Sequence, residues 1–172
     1  TDRGYQAIRQ LTIQCRIVST FLRNSVDQFF PRGISQQSET GNLFVSSPSY
    51  VNKIDYHQKT VELIAGSSSG TNAFGFFHRT SFGQLREILL ISNDTELLAA
   101  DSLYQIVTLD MASSRSSHIC GYPGHTDGEH PHCNVGNPYA LTVIGNTLYI
   151  GENQRIRIIQ GNFTFVMTII LR

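Results

Sequence analysis

The sequence predicts an all-β protein assembled from a repeated four-stranded unit, and three observations carry that prediction. The first is one pattern written three times, in which a turn and an apolar strand lead into a second apolar strand carrying polar residues. The copies are Gly41-Asn42-Leu43-Phe44-Val45-Ser46-Ser47 with Val51-Asn52-Lys53-Ile54-Asp55, Glu96-Leu97-Leu98-Ala99-Ala100-Asp101-Ser102 with Ile106-Val107-Thr108-Leu109-Asp110, and Asn146-Thr147-Leu148-Tyr149-Ile150-Gly151-Glu152-Asn153 with Ile156-Arg157-Ile158-Ile159. A headless copy, Ile8-Arg9-Gln10-Leu11, precedes them. The second observation is spacing: aligning Ile8, Val51, Ile106 and Ile156 gives separations of 43, 55 and 50 residues, a period at which internal repeats mean solenoids, propellers or arrays. The third is composition along the chain, where short segments rich in Val, Ile, Thr, Phe and Tyr are bounded by Gly, Asn, Asp, Ser or Pro. Only Phe82 to Leu89 reads at helical spacing, and its aliphatic run from Ile88 fits a buried strand at least as well.

Each unit extends beyond those two central strands. Phe30-Pro31-Arg32-Gly33-Ile34, Gln84-Leu85-Arg86-Glu87-Ile88 and Asn137-Pro138-Tyr139-Ala140-Leu141 supply first strands. They turn back through Thr40-Gly41-Asn42, Ser92-Asn93-Asp94 and Gly145-Asn146, residues that tolerate the positive φ of tight hairpins. Fourth strands follow at Arg16 to Phe21, Thr60 to Ala65, Ser116 to Cys120 and Asn162 to Ile170. Four short antiparallel strands per repeat make the blade of a β-propeller. The expected division is residues 1–23 as the trailing strands of one blade, then blades at 24–70, 71–124 and 125–172. Since propellers close with typically about four to eight blades, the chain reads as part of a larger propeller.

The chain has 172 residues, with thirteen basic balancing thirteen acidic. That balance supplies no electrostatic grip on nucleic acid or anionic membrane. Eleven of the basic residues are Arg and two are Lys, and Arg favours fixed, planar pairing. No apolar run reaches the roughly 20 residues that span a bilayer, so no membrane insertion by this segment is expected. No leader is visible at Thr1-Asp2-Arg3-Gly4, which implies either a cytoplasmic chain or one cut from a larger precursor.

Three cysteines occur, at 15, 120 and 133, with no Cys-x-x-Cys pair for zinc. Cys120 and Cys133 bracket a segment rich in Gly, Pro and His, which reads equally as a crosslinked loop or as carrying two unrelated thiols. In a secretory protein Cys120 pairs with Cys133, while Cys15 is expected to stay a buried thiol in its strand. The sequons Asn93-Asp94-Thr95 and Asn162-Phe163-Thr164 fall in predicted turns, where glycosylation needs them. His118, His125, Asp127, Glu129, His130, His132 and Cys133 form the densest polar cluster; His130 and His132 with His125 offer an alternative zinc or other divalent-metal site, although Pro131 and the loop character favour a solvated segment. No Gly-x-Ser-x-Gly elbow is present, and Gly66-Ser67-Ser68-Ser69-Gly70 lacks the Lys of a phosphate loop. Asp55, Asp101 and Asp110 follow strand ends, where carboxylates accept turn or inter-blade hydrogen bonds. Phe74, Phe76 and Phe77 either fill a wedge between blades or, exposed, form a contact patch.

These residues together resemble the NHL-repeat β-propellers. The closest matches are Phe30-Pro31-Arg32-Gly33-Ile34 for the first strand, Leu97-Leu98-Ala99-Ala100-Asp101-Ser102 for the second and Arg155-Ile156-Arg157-Ile158-Ile159 for the third, with Gly121-Tyr122-Pro123-Gly124-His125-Thr126-Asp127-Gly128 resembling an inter-blade segment. The sequence departs from the pattern at Leu85, at Ser47 or Pro48 and at Glu152 or Asn153 where the family carries Asp, and in a connection lengthened at residues 71–81. The resemblance implies scaffolds for protein or RNA binding, extracellular adhesion and a few lyase or hydrolase reactions, and fold does not decide among them. The preferred expectation is a non-catalytic protein-interaction or structural scaffold module of a larger secreted or cell-surface glycoprotein, without cofactor. Two alternatives stand beside it: a metal-assisted lyase or hydrolase resembling the NHL-type amidating lyase, using His125, His130 and His132, and intracellular NHL-type binding of RNA or protein.

Overall fold

The computed structural model describes residues 1–23, 29–68, 74–103, 105–121, 124, 126–129, 132–160 and 165–169. In chain order the strands are β1 (Ala7–Thr12), β2 (Ile17–Arg23), β3 (Ile34–Gln36), β4 (Leu43–Ser47), β5 (Tyr50–Ile54), β6 (Val61–Gly66), β7 (Gly75–Phe76), β8 (Leu85–Ile91), β9 (Glu96–Asp101), β10 (Gln105–Asp110), β11 (Arg115–Gly121), β12 (Gly128–Glu129), β13 (Ala140–Ile144), β14 (Thr147–Gly151), β15 (Ile156–Gln160) and β16 (Phe165–Ile169). Helical structure among the described residues is limited to 3-10 turns at Arg3–Tyr5 and Phe77–Arg79. The strands form four open sheets with orders β1-β2, β3-β4-β5-β6, β7-β11-β10-β9-β8 and β12-β16-β15-β14-β13. All pairing is antiparallel.

Successive sheets stack through three apolar cores. Ile8, Phe29, Leu43, Val45 and Ile54 fill the first core. Phe44, Val51 and Ala65 meet Leu85, Ile88, Leu97, Ala99 and Val107 in the second. Leu98, Ala100, Ile106 and Cys120 meet Cys133, Val135, Leu148, Ile150 and Ile159 in the third. Alternate residues of one strand thus enter different cores, Leu97 and Ala99 on one side of β9 and Leu98 and Ala100 on the other. A strand covered on both faces needs no polar alternation, which is why Leu43 to Val45 and Leu97 to Ala100 read as continuous apolar runs.

The repeat alignment recurs as a backbone defect. Register breaks between Ile8 and Arg9, between Val51 and Asn52, and between Ile106 and Val107, with Phe21, Ile64 and Ile119 as the extra residues opposite. A bulge turns two consecutive side chains to one side; accordingly Phe21 and Leu22 pack at the first core, Ile64 and Ala65 at the second, and Ile119 and Cys120 at the third. The β15–β16 pairing runs without a break from Ile156 to Gln160.

Two sequence expectations need adjustment. First strands begin later than expected in two copies, at Ile34 and Ala140. Their lead-ins hold instead to a neighbouring strand end: Arg32 N–H donates to Ser46 C=O (2.9 Å) and Tyr139 N–H to Gly151 C=O (2.8 Å). Pro31 and Pro138 have no N–H to extend a ladder. The two-residue outer strands β7 and β12 were not expected, because a Gly paired with one other residue carries no periodic signal. The aliphatic run at Ile88 lies in a strand, β8, rather than a helix.

Candidate functional site

Polar side chains concentrate where second strands end and the incoming connection from the previous sheet arrives. Asp101, fully buried at the end of β9, accepts the backbone N–H groups of Gly83 (2.8 Å), Gln84 (2.9 Å) and Leu103 (3.1 Å). Glu152, following β14, accepts Gly136 N–H at 2.8 Å. At the end of β4 two serines divide that role. Ser47 Oγ accepts Phe30 N–H (3.2 Å), while Ser46 Oγ accepts Gly33 N–H (2.9 Å) and donates to Arg86 C=O (2.8 Å). Asp101, Glu152 and the serine pair therefore serve one function by different chemistry.

Asp55 and Asp110 cap the turns after third strands. Asp55 Oδ1 accepts from His57 and Gln58 N–H at 2.8 and 2.7 Å, and the Gln58 N–H is the main cause of its lowered pKa. Asp110 Oδ1 accepts from Ala112 and Ser113 N–H at 2.8 and 3.2 Å; the Ser113 side chain, then its N–H, holds that carboxyl low. Both carboxylates accept hydrogen bonds from the backbone of the turns that they cap.

The third strand of the last sheet contributes a fully buried Arg157. Its Nη2 donates to Asp127 Oδ1 at 2.8 Å and to Thr126 C=O at 3.0 Å, and its Nη1 lies 3.7 Å from Glu152. The guanidinium thus ties the 126–127 segment and the β14–β15 turn together. A polar cleft of about 360 Å³, lined by Asn137, Glu152, Asn153, Gln154 and Arg155, opens beside it. Nothing in the sequence marks Arg157 as buried, since it alternates with Arg155, which is part-exposed.

The described members of the His-rich cluster have separate partners. His132 is exposed and its backbone N–H donates to Glu129 C=O, while His118 lies in β11 with its ring 5.1 Å from Phe74. Asp127 is bound by Arg157. Among the described residues, no three His, Cys, Asp or Glu side chains are set to hold a metal; His125 and His130 lie outside the described residues. Cys120 is joined to Cys133, with Cα atoms 5.4 Å apart and both residues buried in the third core.

Cys15 departs from expectation. It is exposed in the turn between β1 and β2 rather than buried in a strand, because the pairing of Thr12 with Ile17 assigns the residues between them to the hairpin. Asn93 is exposed in the β8–β9 turn, with φ of 53°; Asn162 lies outside the described residues. The three phenylalanines divide: Phe77 is buried, Phe74 packs against the second core, and Phe76 is exposed beneath the Arg115 guanidinium.

No family model matches the chain, and no curated protein does. Solved structures do. A structural-genomics protein of unknown function from Bacteroides thetaiotaomicron superposes with a TM-score of 0.79 at 17% identity, over 95% of this chain and 43% of that one. A chain of a nidogen/laminin complex gives 0.71 at 13% identity, over 99% and 58%. The fold is that of β-propeller proteins. An auxiliary nutrient binding protein from B. thetaiotaomicron gives 0.70 at 15% identity, over 93% and 40%. The chain therefore spans 40% to 58% of the length of these three neighbours.

Proposed function

We propose that this chain is a non-catalytic interaction or structural scaffold module of a larger secreted or cell-surface protein. In this reading its repeats are NHL-like, residues 24–70, 71–124 and 125–172 are successive blades, and residues 1–23 are the trailing strands of another. The carrying observation is the use of the strand-end polar groups. Asp101, Glu152, Ser46 and Ser47 bind backbone amides of arriving connections, so the chemistry most concentrated in the sequence builds the scaffold. The propeller neighbours from a nidogen/laminin complex and from a nutrient binding protein support a binding role. The disulfide supports an oxidising compartment, as does the exposed sequon at Asn93.

Two measurements on protein isolated from its source without an affinity tag test the reading. Intact mass is expected to exceed the bare polypeptide by glycans at Asn93 and Asn162, with Cys15 alkylated without reduction and Cys120 and Cys133 protected. Elemental analysis is expected to return no stoichiometric metal. Zinc at one equivalent, lost on His130→Ala or His132→Ala, would replace this reading with the metal-assisted lyase.

A further inference from the structure

Arg32, Arg86 and Tyr139 occupy one position in successive repeats, as Pro31-Arg32-Gly33, Leu85-Arg86-Glu87 and Pro138-Tyr139-Ala140. That position lies at or just before the inner strands β3, β8 and β13, and β8 packs against both of the others. The three side chains, with Arg3, line an open cleft of about 530 Å³. Arg86 lies over Tyr139, its guanidinium carbon 4.0 Å from the centre of the ring. The Tyr139 hydroxyl is held in turn by Asn137 Nδ2 at 2.9 Å. Arg32 Nη1 donates to Leu85 C=O at 3.0 Å.

Those contacts hold both guanidinium groups at the cleft. The Nε of Arg32 and that of Arg86 are enclosed and without a hydrogen-bond partner. Among the described residues, no ion pair engages Arg3, Arg32 or Arg86. Among the described residues, the carboxyl in the lining is that of Glu87, which accepts the Ile88 N–H at 3.1 Å. Burial, followed by the charges of Arg3 and Arg86, lowers the pKa of Arg32, as expected where cations gather.

We propose that this cleft binds an oxyanion, a carboxylate or phosphate group, among the guanidinium groups of Arg3, Arg32 and Arg86 that line it. A guanidinium offers paired N–H groups in a rigid plane, matched to two oxygens of such a group. One anionic group in the cleft would relieve the repulsion among the cations. The site adds a ligand class to the interaction reading, and either can fail without the other.

Isothermal titration of the intact protein with inorganic phosphate and with glutarate tests it, at constant ionic strength set by chloride. Saturable binding of at least one anion is expected; glutarate alone assigns a carboxylate ligand and phosphate alone a phosphate. Arg32→Gln and Arg86→Gln are each expected to weaken binding about tenfold, and Arg86→Lys, which keeps the charge and loses the fork, to weaken it as well. Circular dichroism melts establish that these variants fold. Should they not, Arg3→Gln at an exposed position is expected to reduce both affinity and the rise in melting temperature that the anion gives the unsubstituted protein. Absence of binding beyond the chloride control, or unchanged affinity in the folded variants, overturns the proposal.

Discussion

Asp101 shows how much of the architecture can rest on one side chain. Both of its oxygens are used, and the three N–H groups they receive belong to the connection from the previous sheet and to the turn after β9. Replacing it with Ala would leave three part-buried N–H donors without their acceptor, at about 1–3 kcal/mol each where water cannot replace it. Asp101→Ala is expected to lower the melting temperature by roughly 6–12 °C, taking ~3 kcal/mol at about 2–4 °C per kcal/mol for a chain of this size, as read by calorimetry. Glu87 is the opposite case. Burial raises its carboxyl above the ordinary glutamate value of 4.5, against a lowering pull from the Ile88 N–H. The folded state therefore holds this proton more tightly than the unfolded chain, and the group's contribution to stability declines as pH rises from about that ordinary value through the raised one. Glu87→Gln is expected to melt higher than the unsubstituted protein near neutral pH and to melt the same in acid below the ordinary glutamate range; a difference that persists in acid would contradict the assignment. Asp101 was legible in the sequence because it ends an apolar run before a turn. Arg157 was not, since its burial depends on Asp127 and Glu152 arriving from other segments.

At the scale of elements, close approach between sheets sets the tightest requirement. A Cβ on Gly33 would lie 2.7 Å from Arg86 O and 2.8 Å from Glu87 Cα, both backbone atoms that cannot turn aside. Gly33→Ala is expected to cost about 1–3 kcal/mol through the strain of overpacking, measured by urea unfolding. The Pro-x-Gly-Ile signature thus records contact between two inner strands as much as the start of one. The disulfide works on the unfolded chain instead. Its partners are 13 residues apart in sequence, and a loop of that length supports about 3 kcal/mol of stabilisation. Cys120→Ser with Cys133→Ser is expected to lose about that much, with little change in far-ultraviolet circular dichroism. Sequence supplied the candidate pair and left its formation open, because spacing alone does not show that both residues face one core.

Across the whole molecule, protection is expected to follow coverage. Strand β9 has neighbours on both faces and strands on both edges. By contrast, β1 and β2 form a sheet by themselves, with Leu11 and Val18 at 57% and 55% exposure. Hydrogen exchange is expected to be slowest in β9 and fastest in β1 and β2; equal protection would show that something covers the small sheet in solution. The stack of sheets was readable because both-sided burial writes itself as apolar runs at a fixed period. The arginine-lined cleft was not. An excess of Arg over Lys is visible in composition, but only packing of inner strands brings Arg32 beside Arg86.

The bulge found in three sheets and missing from the fourth also bears on how the chain can change in length. Removing a residue from a strand ordinarily sends every later side chain to the wrong face. Phe21, Ile64 and Ile119 are exceptions, since each is the residue that the ladder register passes over and its neighbours already hold their partners. The uninterrupted pairing of β15 with β16 shows that such a sheet forms without one. Deleting Ile64 should therefore remove only that side chain's packing, whereas deleting Val51 from the partner strand should unfold the sheet. Among related chains, single-residue gaps in the outer strands should collect at these three positions.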